Sequence, residues 1–348
     1  METRKLQRVG GGTYTVSIPK QWATAQGLEA GTEVTLYNHL DGSIVVRSHE
    51  VDRGRIESVA VAVDDDATAV RQLLRATQSA GFERVTLVTD GSFSAETVRT
   101  VRSFVRGVVG AELLEERDGT LVVRSLLDAA DVSVRQSVVQ LQFVALSVHG
   151  RATDALAGDV ADVSDQLHER AAEADRLCGM VTRHLNRALV SFEELDRLGL
   201  SRPVLLDYYE TARRLCEVAA EGVTIARTAE GLSEPLSPTT VDALRELADA
   251  TRSVVEDASM AVIEQRDAET VAEIQARREA IGGRLDERIE SLYGDDPSPA
   301  VGTTAEAVAV ARTLDALDRT LDHGGAVADV ALRSLARTHR LPTPEIDG

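Results

Sequence analysis

Cysteine, lysine and aromatic residues are all scarce in this chain of 348 residues. The two cysteines, Cys178 and Cys216, are too few for a disulfide framework or a zinc site, so we expect a reducing compartment, the cytoplasm. Aromatics make up 3% of the residues although 43% are hydrophobic, which indicates a core of alanine, valine and leucine. No apolar run approaches the ~18 residues of a membrane span, and no secretion leader is evident. We therefore expect neither membrane insertion nor export.

Charge of one sign dominates. Asp and Glu number 57 against 38 Lys and Arg, for a net charge of −19, and the only lysines are Lys5 and Lys20. An acidic, lysine-poor composition resembles that of proteins from organisms with molar salt in the cytoplasm, where the Debye length is only ~3 Å. The alternative is an ordinary acidic protein from a GC-rich genome. In the high-salt case the net charge does not exclude a nucleic-acid partner.

Shifts in charge and periodicity predict four domains. Residues 1–50 carry five acids and five bases, residues 51–128 carry 13 and 10, and residues 129–348 carry 39 and 23. Leu215, Ala219 and Gly222 recur as Leu317, Leu321 and Gly324 at a constant offset of 102. This internal repeat divides the last block into residues 129–232 and 233–348.

The first block reads as short β-hairpins. Strands are predicted over 13–18, 32–39 and 43–48, with a helix over 20–26 and a tight turn at Asp41-Gly42. So few strands cannot close a core alone, and we therefore expect a homodimer.

The second block predicts a small α/β domain in the order β-α-β-α-β-β. Three consecutive aspartates, Asp64, Asp65 and Asp66, precede its first helix. They either begin that helix, where the dipole favours negative charge, or hold a divalent cation.

The N-terminal segment carries the sharpest motif. Arg4-Lys5, the run Gly-Gly-Thr-Tyr-Thr-Val-Ser-Ile-Pro-Lys-Gln-Trp and the later Gly-Leu and Gly-Thr-Glu-Val resemble the swapped-hairpin DNA-binding domain of the AbrB and MazE type over residues 3–48. The resemblance implies an intertwined homodimer that contacts DNA through its basic strands and loops. The matching positions are Arg4, Lys5, Arg8, Thr13 and Lys20. The alternative is a hairpin domain that only dimerises.

The last block predicts six long antiparallel helices in two three-helix bundles, over 132–157, 160–198, 204–229, 241–265, 268–292 and 306–336. Two acidic ridges stand out on these helices. Glu169, Glu173 and Asp175 form one, and Asp318 and Asp322 form the other. Carboxylates four residues apart share a helix face, so they either ligate a divalent metal or form a solvated face.

These ridges resemble the acidic motifs of PhoU repeats, and with two repeats of three helices the similarity spans residues 131–336. It implies a phosphate-homeostasis regulator, some relatives of which bind iron or zinc at these acids. The present chain departs from that pattern, because Cys216 and Ala220 stand where the first repeat should have acids. We therefore expect no tightly bound cofactor and at most a weakly bound divalent metal.

The sequence thus predicts a multidomain, predominantly helical protein with no enzymatic function, since no Walker loop or catalytic constellation is evident. The leading hypothesis is a DNA-binding transcriptional regulator of phosphate uptake. The alternative is an accessory protein that docks on a phosphate transporter or signalling protein, with the hairpins serving only for dimerisation.

Overall fold

The computed structural model describes residues 3–38, 42–48, 56–158, 163–293 and 303–341. The protein is multidomain and predominantly helical, with N-terminal hairpins, a small sheet and a helical C-terminal region, as predicted. Contacts within the chain divide it into two compact units, residues 1–55 and 56–348.

The N-terminal unit consists of two separate hairpins and one short helix. Its elements are β1 (Gln7–Val9), β2 (Thr13–Thr15), α1 (Lys20–Ala25), β3 (Val34–Asn38) and β4 (Ile44–Ser48). β1 pairs with β2 and β3 with β4, both antiparallel, and each pair is a two-stranded sheet of its own. The predicted turn residue Asp41 lies outside the described residues.

Apolar side chains of this unit remain open to solvent in the single chain. Leu6, Tyr14, Leu36 and Ile44 are each more than half exposed. None of the described residues of this unit falls in the buried class. Two-stranded sheets are marginal alone in water, and these apolar faces remain exposed in the single chain.

The second unit begins with a four-stranded sheet and two helices. Its elements are β5 (Ser58–Ala62), α2 (Ala67–Ala80), β6 (Arg84–Val88), α3 (Ala95–Arg106), β7 (Ala111–Arg117) and β8 (Thr120–Ser125). The strand order is β5-β6-β8-β7, with β5 and β6 parallel and the remaining pairs antiparallel. Val70, Leu74, Leu87, Val101 and Leu121 form its small core. The predicted element order is confirmed.

The aspartate run begins helix α2. The Asp66 carboxylate accepts hydrogen bonds from the Thr68 and Ala69 amides, which is N-cap geometry. Asp65 accepts from the Ser94 amide and hydroxyl, and Ser94 caps α3. The two carboxylates therefore satisfy helix ends and tie the starts of α2 and α3 together.

Long antiparallel helices make up the rest. They are α4 (Val134–Ala155), α5 (Val163–Val190), α6 (Phe192–Leu198), α7 (Arg202–Glu230), α8 (Pro238–Glu264), α9 (Ala268–Tyr293) and α10 (Thr304–Arg337). The prediction of one helix over 160–198 is wrong at its end, because Ser191 begins a new helix. Its hydroxyl accepts from the Glu194 amide, so α6 is capped separately. The predicted connection 294–302 lies outside the described residues.

Two glycines show the repeat in three dimensions. A Cβ on Gly222 in α7 would lie 3.0 Å from the amide nitrogen of His149 in α4. A Cβ on Gly324 in α10 would lie 3.3 Å from the amide nitrogen of Val255 in α8. A similar close approach therefore recurs at the crossing of α7 with α4 and at the crossing of α10 with α8, at the positions that the 102-residue offset relates.

Helix α5 is fastened to the end of α2 by three side chains. Arg183 donates to the carbonyls of Gln78 and Phe82 at 3.1 and 2.9 Å. Asn186 donates to the Ser79 carbonyl, and Arg187 donates to the Gly81 carbonyl, both at 2.9 Å. These bonds satisfy carbonyls near the C-terminus of α2 and fix the α/β part against the helical part of the same unit.

Candidate nucleic-acid interface and acidic ridges

The first hairpin displays its residues on two faces. Arg8 pairs with Tyr14 across the strands, and Val9 pairs with Thr13. Since side chains alternate along a strand, Arg8 and Tyr14 project from one face and Thr13 from the other. Gly10 closes the turn at a φ of +67°, a left-handed conformation that favours glycine. The Arg8 guanidinium donates to the Gly11 carbonyl at 3.2 Å, which holds it over this turn.

The remaining predicted DNA contacts flank the hairpin. Arg4 and Lys5 lie in the segment before β1, and Lys20 begins α1 directly after Pro19. All five predicted residues, Arg4, Lys5, Arg8, Thr13 and Lys20, are exposed. Within the described residues, Lys5, Arg8 and Lys20 have no carboxylate at ion-pair distance, so their charge is open to phosphates.

The first acidic ridge is engaged with neighbours inside its own bundle. Glu173 accepts from Arg170 at 2.7 Å and from Gln140 of α4 at 3.2 Å. Asp175 accepts from the Cys216 thiol of α7 at 3.1 Å, whereas Glu169 is exposed. The structure thus places Asp175 of α5 beside Cys216 of α7.

The second ridge lies among arginines and further acids. Asp322 accepts from Arg278 of α9 at 2.7 Å. Partial burial raises the pKa of the Asp318 carboxyl, and the neighbouring Asp322, Asp286 and Asp315 raise it further. Arg319 lies between Asp318 and Asp322 in the sequence. Its guanidinium donates two hydrogen bonds of 2.8 Å to the Glu221 carboxylate of α7. This ion pair therefore links α7 to α10.

Within the part of the chain that the structure describes, no three His, Cys, Asp or Glu side chains converge as a metal-ligand set. The five predicted metal ligands, Glu169, Glu173, Asp175, Asp318 and Asp322, stay a prediction from the resemblance. The observed partners of Glu173, Asp175 and Asp322 are arginine, glutamine and cysteine side chains.

Sequence reasoning missed a buried ionic network. The Glu194 carboxylate contacts His184 Nδ1 at 2.7 Å and accepts from Arg187 Nε at 2.9 Å. Arg187 also reaches Glu83 at 2.9 Å. Burial would raise the pKa of Glu194, but the bonds from His184 and Arg187 outweigh it, and the pKa lies below its ordinary value. The spacing Ser191-x-x-Glu194, a capping-box pattern, is the signal that could have located the helix start at this site.

The family comparison bears on the N-terminal unit. Residues 7–53 match the family described as antidote-toxin recognition MazE, bacterial antitoxin. The segment is thus of the MazE/AbrB type, and the match covers the hairpins described above. No curated protein matches the chain significantly. Among the described helices, none combines the length and apolar character needed to cross a bilayer.

Proposed function

We propose that this protein is a homodimeric, DNA-binding transcriptional regulator of phosphate uptake and homeostasis, acting in the cytoplasm and without catalysis. The observation that carries the DNA-binding part is a set of exposed cations at the MazE-type hairpins, Lys5, Arg8 and Lys20, which have no carboxylate at ion-pair distance among the described residues. Lys5, Arg8 and Lys20 are exposed around a hairpin of a family whose members take part in antitoxin-type regulation. Guanidinium and ammonium groups with no carboxylate nearby are suited to phosphate oxygens of a nucleic acid.

The exposed apolar faces of the N-terminal unit support the homodimer. Leu36 and Ile44 lie on paired strands and are 61% and 67% exposed in the single chain. A second copy of the same hairpins would remove this surface from water. Dimerisation would also double the number of basic side chains that one DNA duplex meets.

The phosphate link rests on the likeness of the helical block to PhoU repeats. Two three-helix repeats with matching glycine contacts at Gly222 and Gly324 support that likeness, since they reproduce the expected repeat architecture. We propose that this block senses cellular phosphate status or docks a partner, and that it thereby modulates DNA binding.

DNA binding is tested by fluorescence anisotropy with the DNA upstream of the protein's own gene, across a series of salt concentrations. Replacing Arg4 and Lys5 together by alanine removes two positive charges per chain. For each DNA phosphate that the variant no longer binds, the slope of log K against log salt should fall by about 0.9. Weaker binding to all sequences alike would indicate phosphate contacts, and weaker binding to the operator alone would indicate base recognition.

The double substitution R99Q and R106Q is a matched control. Both arginines are exposed on α3 of the acidic unit, and neither makes an ion pair within the described residues. This control changes the net charge by the same amount, so its DNA affinity should stay at the wild-type value. If the R4A/K5A variant binds as tightly as wild type at every salt concentration, the DNA-binding proposal is wrong.

The phosphate link has its own test. Transcript levels in a strain that lacks the gene should differ from wild type for phosphate-uptake genes, and the difference should depend on phosphate supply. A change that is independent of phosphate would contradict the link but leave DNA binding intact.

The second candidate is an accessory protein that docks on a phosphate transporter or signalling protein. The strongly acidic residues 129–348, with 39 acids against 23 bases, favour it, because this block repels DNA at low salt. Under this alternative the protein dimerises through its hairpins but shows no salt-dependent DNA binding.

A further inference from the structure

A cavity of about 640 Å³ lies between α2 and α3 on one side and α5 and α7 on the other. Its size falls within the range of small-molecule sites in proteins. All of its walls belong to the second unit, and the bonds from Arg183 and Arg187 to the end of α2 hold those walls together. The DNA-binding proposal makes no use of this cavity.

The cavity is basic although the protein is acidic. Arg71 and Arg75 line it from α2, and Arg176 and Arg183 line it from α5. Its acid is Asp175, which accepts a hydrogen bond from the Cys216 thiol. Within the described residues none of these four arginines has a carboxylate at ion-pair distance. In a chain with a net charge of −19, such a group of unpaired arginines is a marked local excess of positive charge.

Arg183 is the buried member of this group of arginines. Its side chain is 1% exposed, and its Nε has no hydrogen-bond partner. Burial and the nearby Arg187 lower the pKa of Arg183 to about 10, although Glu194 and Glu83 act in the opposite direction, so the group is still charged at neutral pH. Its Nε therefore remains available, and an anion bound in the cavity would give this buried guanidinium a direct anionic partner.

Apolar side chains complete the lining. Phe104 and Val108 come from the α3 end, Leu127 follows β8, and Met180 lies on α5. An anion alone would not use these groups. A molecule with a phosphoryl group and an apolar portion would match both kinds of wall, since the planar guanidinium binds phosphate oxygens in pairs.

We propose that this cavity binds a small molecule that carries a phosphoryl group, with Arg71, Arg75 and Arg183 facing the phosphoryl oxygens and Phe104 and Val108 facing the remainder. Inorganic phosphate and an organic phosphate share the recognised chemistry. The inference does not require that the protein binds DNA, and its test contains no DNA, so the two proposals fail independently.

The two cysteines provide a direct readout. Cys178 and Cys216 both line the cavity, and the chain has no other thiol. The neighbouring Cys216 side chain holds the pKa of the Cys178 thiol below its ordinary value, which favours its reaction with alkylating reagents. The rate of modification by iodoacetamide, a neutral reagent, therefore reports occupancy of the cavity.

The full chain is treated with iodoacetamide at constant potassium chloride, with millimolar AMP, inorganic phosphate or adenosine, and the modified cysteines are counted by mass spectrometry. We expect AMP, inorganic phosphate or both to slow alkylation several-fold, and adenosine to have no effect. Protection by AMP alone would identify an organic phosphate as the ligand class, and protection by inorganic phosphate alone would identify free phosphate.

The variant R71Q/R75Q should lose the protection, because it removes two exposed arginines of the cavity without disturbing the core. The variant R99Q/R106Q should keep it, since those arginines do not line the cavity. Circular dichroism shows whether each variant is folded, and the protection is compared as a ratio within each variant. The proposal is overturned if neither phosphate protects, if adenosine protects equally, or if R71Q/R75Q is protected like wild type.

Discussion

The glycines at the two repeat-related helix crossings allow a graded test of the packing. We consider three substitutions by alanine, at Gly222 in α7, Gly324 in α10 and Gly283 in α9. All three glycines lie inside helices, where alanine is intrinsically favoured by up to about 1 kcal/mol. The difference between the variants therefore reports the space that surrounds each added methyl group.

The structure ranks the three sites. At Gly222 the methyl group would lie 2.9 Å from the Cα of His149, and backbone atoms cannot move aside without shifting α4. At Gly324 the nearest atoms are 3.1 and 3.2 Å away and belong to the side chains of Val254 and Val255. At Gly283 no atom lies within 4 Å.

We expect Gly222→Ala to destabilise the protein by about 1–3 kcal/mol, the usual cost of overpacking. Gly324→Ala should lie between the other two, because valine methyl groups can rotate or shift by a few tenths of an ångström. Gly283→Ala should stabilise by up to about 1 kcal/mol, since it gains helix propensity at an exposed position without a clash.

The measurement is thermal unfolding by circular dichroism at high salt, where about 1 kcal/mol corresponds to 2–4 °C in domains of 150–250 residues. Gly283→Ala serves as the matched control for helix propensity. If Gly222→Ala is as stable as Gly283→Ala, then α4 and α7 do not approach as closely as described, and the reasoning about the paired crossings is refuted.

The buried charges, the oligomer and the acidic ridges can each be tested as well. Burial, aided by Arg252, lowers the pKa of His149 from 6.5 to about 3. Between these pH values His149 is protonated in the unfolded chain but neutral in the folded chain. The free energy of unfolding should therefore fall by up to about 5 kcal/mol between pH 6.5 and 3, at about 1.4 kcal/mol per pKa unit. Measured by urea unfolding, the free energy of unfolding of His149→Gln should depend less on pH over that range than that of wild type. Glu194→Gln should cost about 3 kcal/mol at pH 7, because it leaves Arg187 without its buried partner, whereas Glu193→Gln in the exposed pair with Arg197 should cost less than about 1 kcal/mol. The pKa of Glu194 in the folded chain lies below its ordinary 4.5, so its contribution to the free energy of unfolding is present above pH 4.5 and is lost as the pH falls through the folded value. If the difference in free energy of unfolding between Glu194→Gln and wild type stayed the same in acid, this assignment would be contradicted. Light scattering in molar salt should give a mass of at least a dimer for the full chain, and removal of residues 1–50 should weaken dimerisation. A monomer mass for the full chain would contradict the homodimer. Elemental analysis should find less than one iron or zinc per chain, because Cys216 and Ala220 replace acids in the first repeat, and two or more per chain would refute this.

Local sequence determined the elements and their order. The periodicity of the last 220 residues predicted long helices, and serine or threonine at their starts, such as Ser133, Ser237 and Thr303, marks where a side-chain oxygen accepts from backbone amides as a cap. Local signals also predicted β3, β4 and α1 and supported the resemblance to the AbrB and MazE type, whereas β1 (Gln7–Val9) was not predicted and β2 ends at Thr15 instead of residue 18. These features depend on neighbours a few residues apart, and such neighbours can be read from one chain.

Tertiary packing alone decided which distant residues meet. Nothing in the local pattern places Cys178 beside Cys216, or Arg71 and Arg75 of α2 across a cavity from Arg176 and Arg183 of α5. Arg183 looks like a surface residue in the sequence, yet it is buried because the end of α2 supplies carbonyls that accept from it. Asp322 of the second ridge and Glu221 of α7 likewise pair with arginines from other helices, Arg278 and Arg319. The rotation and register of packed helices set these contacts, and many side chains act on them together, so spacing along the chain could not reveal them.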